Sequence, residues 1–421
     1  MASFATIPTE MIREIFLLVS VPAVFEPFPH DPNWCMHGDG EQCNLSDYDA
    51  QHPFNRDSGT LIGPLRLVNR RFAEIGLEFL FRRLSTGVLG CKVSVWVRYQ
   101  QFLEVHPEVA VHTVEACLDL TVPGRTQDEQ AMTPMHFLLQ FPNLKVLQIA
   151  YGGFRPPDVW TGRLVSLRHF DCHGLFWEEF FFDLLAAMPN LETITARLSR
   201  FHCDGEPPLE GTPKLLNLTK MRFFNTFISQ DTFDWFFKVA KGLRILEYHE
   251  NRVGGHFWAK EFKVALQQAH ATLEVLEILP SYQSSGDSYI GPLVHFPKLR
   301  RIRTDICLLS PNMKDTLPPT IVEIFLTSSG LSMMGRIMYS EVEGVLSAKK
   351  GGSFPHLNTI GICTYRLRSY ARDDQFEQLG KVCEDVGVKL LLCHTDYGKA
   401  GRTPEPWYDA LGDGSYIFQL F

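Results

Sequence analysis

Two groups of residues in this chain are of the types that do chemistry. Between positions 30 and 52 stand His30, Cys35, His37, Cys43, Asp47, Asp49 and His52, all side chains that zinc accepts. Their Cys-x-His-x5-Cys spacing fits no closed four-ligand site of the structural kind, so the segment is read as a polar loop that binds no metal. Gly286-Asp287-Ser288 could present a serine nucleophile. Such a serine belongs on a sharp turn directly after a strand, whereas this one lies in a Ser/Gly-rich loop. A hydrolase using Ser288 is therefore kept only as a reading from a different class. Glycine-rich phosphate cradles, the G-x-S-x-G elbow and the H-E-x-x-H helix are absent from the sequence. The expectation is a protein that is not an enzyme and uses no cofactor or metal.

Binding remains, and charge narrows the partner. A net charge of −8 over 421 residues offers neither the basic footprint that nucleic acid requires nor a polybasic patch for a membrane surface. The N-terminal residues lack a basic leader. The longest nearly apolar run, Ile15 to Phe25, contains Ser20 and Pro22 and is too short to span a bilayer. Ten cysteines are scattered without a framework, which suits reduced, buried thiols in the cytoplasm or nucleus.

The residues that could contact a protein partner are ordered by an internal repeat. Phe141-Pro-Asn-Leu144, Met188-Pro-Asn-Leu191, Phe296-Pro-Lys-Leu299 and Phe354-Pro-His-Leu357 are near copies of one tetrapeptide. Each launches the pattern Leu-x-x-apolar-x-apolar. The series runs Leu144/Leu147/Ile149, Leu167/Phe170/Cys172, Leu191/Ile194/Ala196, Leu218/Met221/Phe223 and Leu243/Leu246/Tyr248. It continues through Leu273/Leu276/Ile278, Leu299/Ile302/Thr304, Ile321/Ile324/Leu326 and Leu357/Ile360/Ile362. Weaker units are placed at Leu118-x-Leu120 and Leu391-x-Cys393. Amphipathic helical stretches alternate with these strands at Phe176–Met188, Asp231–Lys241, Phe257–His270, Ile337–Lys349 and Asp374–Asp385. Strand-then-helix units with an L-x-x-L-x-L core are the signature of leucine-rich repeats, in which each unit buries its apolar face against its neighbours. Loops at 205–213 and 280–292 interrupt the array.

In such an array the intervening strand residues line the concave face. His169, Asp171, Arg197, Arg222, Glu247, His249, Glu277, Arg301 and Arg303 are the candidate target-binding residues, beside Thr193, Thr195, Lys220, Glu323 and Phe325. Their mixed signs suit a protein rather than a nucleic acid. As exposed strand positions they are expected to contribute little to stability, so that paired charge reversal at Glu247 and Glu277, or at Arg301 and Arg303, leaves the array folded.

The first eighty-odd residues hold two helical motifs. Pro8 at a first helical position and Glu10 in the first turn open one, with Met11, Ile12, Ile15, Phe16 and Val19 on one face. The other covers Leu61–Leu80, with the stripe Leu61, Leu65, Val68, Phe72, Ile75 and Phe79; Pro64 is expected to start it and Gly76 to break it. In themselves these are two helices that need a partner surface. Residues IPTEMIREIFLLVS followed by LRLVNRRFAEIGLEFLFRRL closely resemble the F-box family as it occurs in fungi, with Ile7 standing for the usual leucine and Phe72 for the commoner tryptophan. The resemblance covers about two-fifths of the first hundred residues. An insertion at about 26–60, rich in Pro and Gly, separates the motifs where an F-box is compact.

The resemblance implies a substrate receptor of an SCF-type ubiquitin ligase. Ile7, Pro8, Met11, Ile12, Ile15, Leu65, Val68, Asn69 and Phe72 would include both the contacts to a Skp-type adaptor, and through it a cullin, and the box's own core; sequence alone does not separate the two. The expected architecture is α/β: a small helical F-box in residues 1–86, an irregular leucine-rich-repeat solenoid in 87–395 with parallel strands on the concave face and helices on the convex face, and a tail at 396–421. The alternative is an adaptor-binding repeat scaffold acting outside a ligase.

Overall fold

The tetrapeptides are hydrogen-bonded turns that aim each strand. The Leu144 amide donates to the Phe141 carbonyl, Leu191 to Met188, Leu299 to Phe296 and Leu357 to Phe354, at 3.2–3.3 Å. Proline suits the second position of such a turn because its ring presets φ, and Asn suits the third. Leu164–Leu167, Leu215–Leu218 and Ala240–Leu243 close the same turn without proline. The computed structural model describes residues 8–13, 70–85, 101–119, 138–150, 163–173, 185–197, 200–201, 215–250, 259–279, 289–309, 312–328, 333–365 and 373–395. They divide into two compact units with the break after Leu191.

In the first unit, β1 (Arg83–Ser85), β2 (Glu115–Asp119), β3 (Val146–Ala150) and β4 (His169–His173) pair in parallel in chain order. In the second, β5 (Thr193–Arg197) pairs with β7 (Lys220–Ile228), with the short β6 (Arg200–Phe201) beside β7. Then β8 (Ile245–Glu250), β9 (Val275–Leu279), β10 (Arg301–Asp305), β11 (Glu323–Ser328), β12 (Thr359–Tyr365) and β13 (Lys389–Thr395) follow in order, all parallel. The class is α/β, with solenoid-like stacking of strands. A parallel pair needs a crossover, and the helices α2 (Gln230–Val239), α3 (Ala259–Leu266), α4 (Met313–Thr316), α5 (Met333–Lys350) and α6 (Asp373–Asp385) provide it.

The predicted apolar triples are the buried ones. Met221, Leu246, Leu276, Ile302, Ile324 and Ile360 occupy one register row, and Phe223, Tyr248, Ile278, Thr304, Leu326 and Ile362 the next; all are at most 2% exposed. This row faces the helices. Phe233 of α2, whose cap Ser229 accepts from the Thr232 amide, lies edge-on to Tyr248 at 4.9 Å, to Phe262 of α3 at 5.3 Å and to Phe223 at 6.3 Å between ring centroids.

Five expectations shift. The terminal unit is one residue out: Ile360 and Ile362 pair with Leu390 and Leu392, and the run Leu390–Leu392, buried throughout, has no alternation to show which residues face in. At the other end Leu147 and Ile149 pair with Ala116 and Leu118, and Leu120 lies outside the described residues. Gly76 does not break the helix. It is buried inside α1 (Arg70–Leu80), where packing of Phe72, Ile75 and Phe79 on Ile12 outweighs the roughly 1 kcal/mol that a mid-helix glycine costs. The boundary at residue 86 falls after β1, already part of the sheet. Of the stretch Phe176–Met188 only 185–188 are described, with a helical turn at 185–186; the other four helices form, within a few residues of their expected ends. The start at Pro64, the insertion at 26–60 with its Cys and His, the loop at 205–213 and the tail at 396–421 lie outside the described residues. Among the described residues no helix is long and apolar enough to cross a membrane.

Phe233 ties two strands to two helices. Phe233→Ala is expected to lower unfolding stability by about 3–5 kcal/mol, read from the urea midpoint. A loss below about 1 kcal/mol would show the aromatic cluster to be dispensable.

Candidate protein-binding face

Residues that alternate with the helix-facing rows lie on the other side of the sheet. In the second unit the register places Thr195, Arg222, Glu247, Glu277, Arg303 and Phe325 in one line across β5, β7, β8, β9, β10 and β11. Arg197 and Phe224 are partners in the neighbouring line, with His249 in the corresponding position of β8.

These charges are directed at one another. The Arg222 guanidinium meets Glu247 side-on: Nη2 donates to Oε1 at 3.0 Å, and Nε lies 2.8 Å from Oε2. Arg303 Nη1 is 3.0 Å from Glu277 Oε1, which also receives His249 Nε2 at 2.6 Å. Arg301 Nε donates to Glu323 at 2.5 Å. His249 stands edge-on to the Phe224 ring at 4.9 Å, and Arg197 lies over the same ring at 5.1 Å. A connected network thus runs from Arg197 through Phe224 and His249 to Glu277 and Arg303. Glu247 and Glu277 are direct register partners, a like-charge pairing that would destabilise alone. Cations on both outer sides, Arg222 and Arg303, offset it. Glu247 and Glu277 are each only 7% exposed and Arg197 6%.

Those values correct the expectation of solvated, thermodynamically silent charges. Each carboxylate is shielded by long side chains on both adjacent strands, so removing a partner leaves a buried charge uncompensated. Arg301 and Glu323 remain partly exposed. His169 is exposed and Asp171 half-buried on β4 of the first unit. On the same face there, Arg83 Nη2 donates to Cys117 Sγ at 3.5 Å, and that thiol donates to Gln148 Oε1 at 2.7 Å. Burial pushes the Cys117 thiol up to about 12, despite Arg83, and that of Cys383 up to about 11. Cys117, Cys172, Cys307 and Cys383 are free thiols.

The N-terminal motifs meet. Ile12, fully buried, packs with Phe72, Ile75 and Phe79 of α1. Arg71 donates to the Thr9 hydroxyl, and Arg13 pairs with Glu78 at 3.4 Å. Of the candidate adaptor residues, Ile12 and Phe72 are therefore core, while Pro8 is exposed and Met11 is 57% exposed. Ile7, Ile15, Leu65, Val68 and Asn69 lie outside the described residues, as does Ser288. Among the described residues no group of three His, Cys, Asp or Glu side chains is placed to hold a metal ion.

Sequence reading missed the mutual pairing of the strand charges. The signal was present, since Arg222 and Glu247 are 25 residues apart, as are the anchors Leu218 and Leu243. Opposite signs at equal repeat positions meet across a parallel ladder. No protein-family model matches this chain, and no curated protein matches it in sequence.

Glu277→Ala removes the carboxylate that His249 and Arg303 share and is expected to cost about 3–5 kcal/mol in unfolding stability. Arg301→Ala, at a more exposed pair, should cost less than about 1 kcal/mol. Equal losses in urea titrations of the two variants would contradict this division.

Proposed function

We propose that the chain is the substrate-receptor subunit of an SCF-type ubiquitin ligase, its N-terminal helices docking a Skp-type adaptor and its outer strand face holding the target protein. The observation that carries the reading is the packing of the two separated F-box-like motifs on each other, Ile12 against Phe72, Ile75 and Phe79. A motif pair scattered by chance has no reason to share one core. That core uses Ile12 and Phe72 and leaves Pro8 and Met11 outward, where an adaptor could cover them. The parallel array behind supplies a stiff surface with side chains already ordered by their own contacts, which lowers the entropy cost of binding. In this reading the chain performs no bond chemistry. It holds a target near the ubiquitin carrier brought by the cullin, and raised local concentration is the mechanism.

The test is the affinity of the purified full chain for a Skp-type adaptor by calorimetry. Met11→Glu with Pro8→Asp should weaken binding by roughly a hundredfold, the loss of an apolar anchor at an interface centre, while circular dichroism stays unchanged because neither side chain is in the core. Wild-type protein that does not bind the adaptor would overturn the receptor reading.

A further inference from the structure

The outer face of the second unit changes character along its length. The line that carries Arg222, Glu247, Glu277 and Arg303 continues through Phe325 on β11, Gly361 on β12 and Leu391 on β13. Charges that shield one another give way there to an apolar strip. Phe325 is 4% and Leu391 7% exposed, and Gly361 is buried. Leu391 is the informative residue. Its register partner Gly361 has no side chain to lay over it. On its other side the sheet ends, because β13 is the last strand in the order. Lys389, the outward residue before it on β13, is exposed. Neither flank of Leu391 thus supplies the cover that its burial requires.

We infer that the C-terminal segment 396–421 folds back over the outer face and lays its apolar part, from Trp407 to Phe421, along the strip Phe325–Gly361–Leu391. The chain leaves β13 at Thr395, on the same strand as Leu391. An extended chain covers about 3.3 Å per residue, and three strands span only about 10 Å, so the segment has ample length. Trp407, Tyr408, Ile417, Phe418 and Phe421 give it an aromatic and aliphatic surface to match the strip, which would be costly to leave in water. Gly361 forms a notch between Phe325 and Leu391, as a glycine within a strand does where another segment approaches closely. The connections 329–332 and 366–372 also adjoin these strands. Each has to carry the chain to a helix on the opposite side of the sheet, α5 at Met333 or α6 at Asp373, and the second holds Arg366, Arg368 and Arg372. The inference does not rest on the receptor reading. Where both hold, the face open to a target is its charged part, from β5 to β10.

The experiment uses the full chain with the photo-cross-linker p-benzoylphenylalanine in place of Phe325, and mass spectrometry identifies the peptides joined on irradiation. Cross-links from position 325 to residues 396–421 of the same chain are expected. A second chain carries the cross-linker in place of Phe418, outside the array, and should link to peptides of β11–β13. Ile417→Asp with Phe418→Asp should lower the cross-link from position 325 at least about tenfold, the scale for losing an apolar anchor, with circular dichroism unchanged. Cross-links from position 325 only to other segments, cross-linked dimers as the main product, or no link between the tail and β11–β13 from either position would overturn the inference. Should the first chain fail to fold, the second decides. Adaptor affinity is read separately, so failure here sinks the tail's docking and leaves the receptor reading to its own test.

Discussion

One carbonyl in each repeat sets the register of the next. The Lys145 oxygen accepts from the amides of Arg168 and His169; the Arg244 oxygen accepts from Glu274 and Val275, and the Arg300 oxygen from Val322 and Glu323, all at 2.7–3.0 Å. The doubled bond comes directly before each strand, after the turn has aimed it. A one-residue slip would break both bonds and turn every apolar side chain to the wrong face. From that register follow the buried columns against the helices and the charge rows on the opposite face. Side chains reinforce it: Asn143 and Asn190 donate to the carbonyls of Val111 and Val165, and Thr272 and Thr320 to those of Leu243 and Leu299. Each bond joins one repeat to the one before, as the nearest-neighbour character of a solenoid requires.

Because the register is periodic, much of it was legible in the residues. The Leu-x-x-apolar-x-apolar series placed the inner residues of β3 to β5 and β7 to β12 correctly, since the fixed step from each anchor leucine marks them even in β11, where Ile324, Phe325 and Leu326 are all apolar. It failed at β13, where Leu390, Leu391 and Leu392 are all apolar and only pairing with β12 decides. The helix-forming stripe of α1 was legible too, but the effect of Gly76 was not, because the packing that holds the helix together comes from Ile12, more than sixty residues away in the chain. Burial of Glu247 and Glu277 was the largest surprise. A carboxylate read alone belongs in water, and only alignment of successive repeats puts Arg222 and Arg303 on either side of the pair.

The same pairing bears on function. In the receptor reading, a face whose arginines and glutamates pair with one another leaves selectivity for a target to its remaining groups. The small N-terminal core follows a similar division, with Ile12 and Phe72 turned inward to hold two helical pieces together and Met11 turned outward. In the receptor reading these are two docking surfaces with different chemistry, one apolar and one electrostatic. Salt would then weaken the target's hold while leaving the adaptor's largely alone.

The most direct measurement of the receptor reading is the composition and activity of the complex that the full chain forms in cells of its own source. Affinity-purified chain should bring down a Skp-type adaptor and a neddylated or unmodified cullin in stoichiometric amounts, and the complex should transfer ubiquitin to a co-purified protein when supplied with activating and conjugating enzymes. Adaptor without cullin, and no transfer, would contradict the account and leave a repeat scaffold that works outside a ligase.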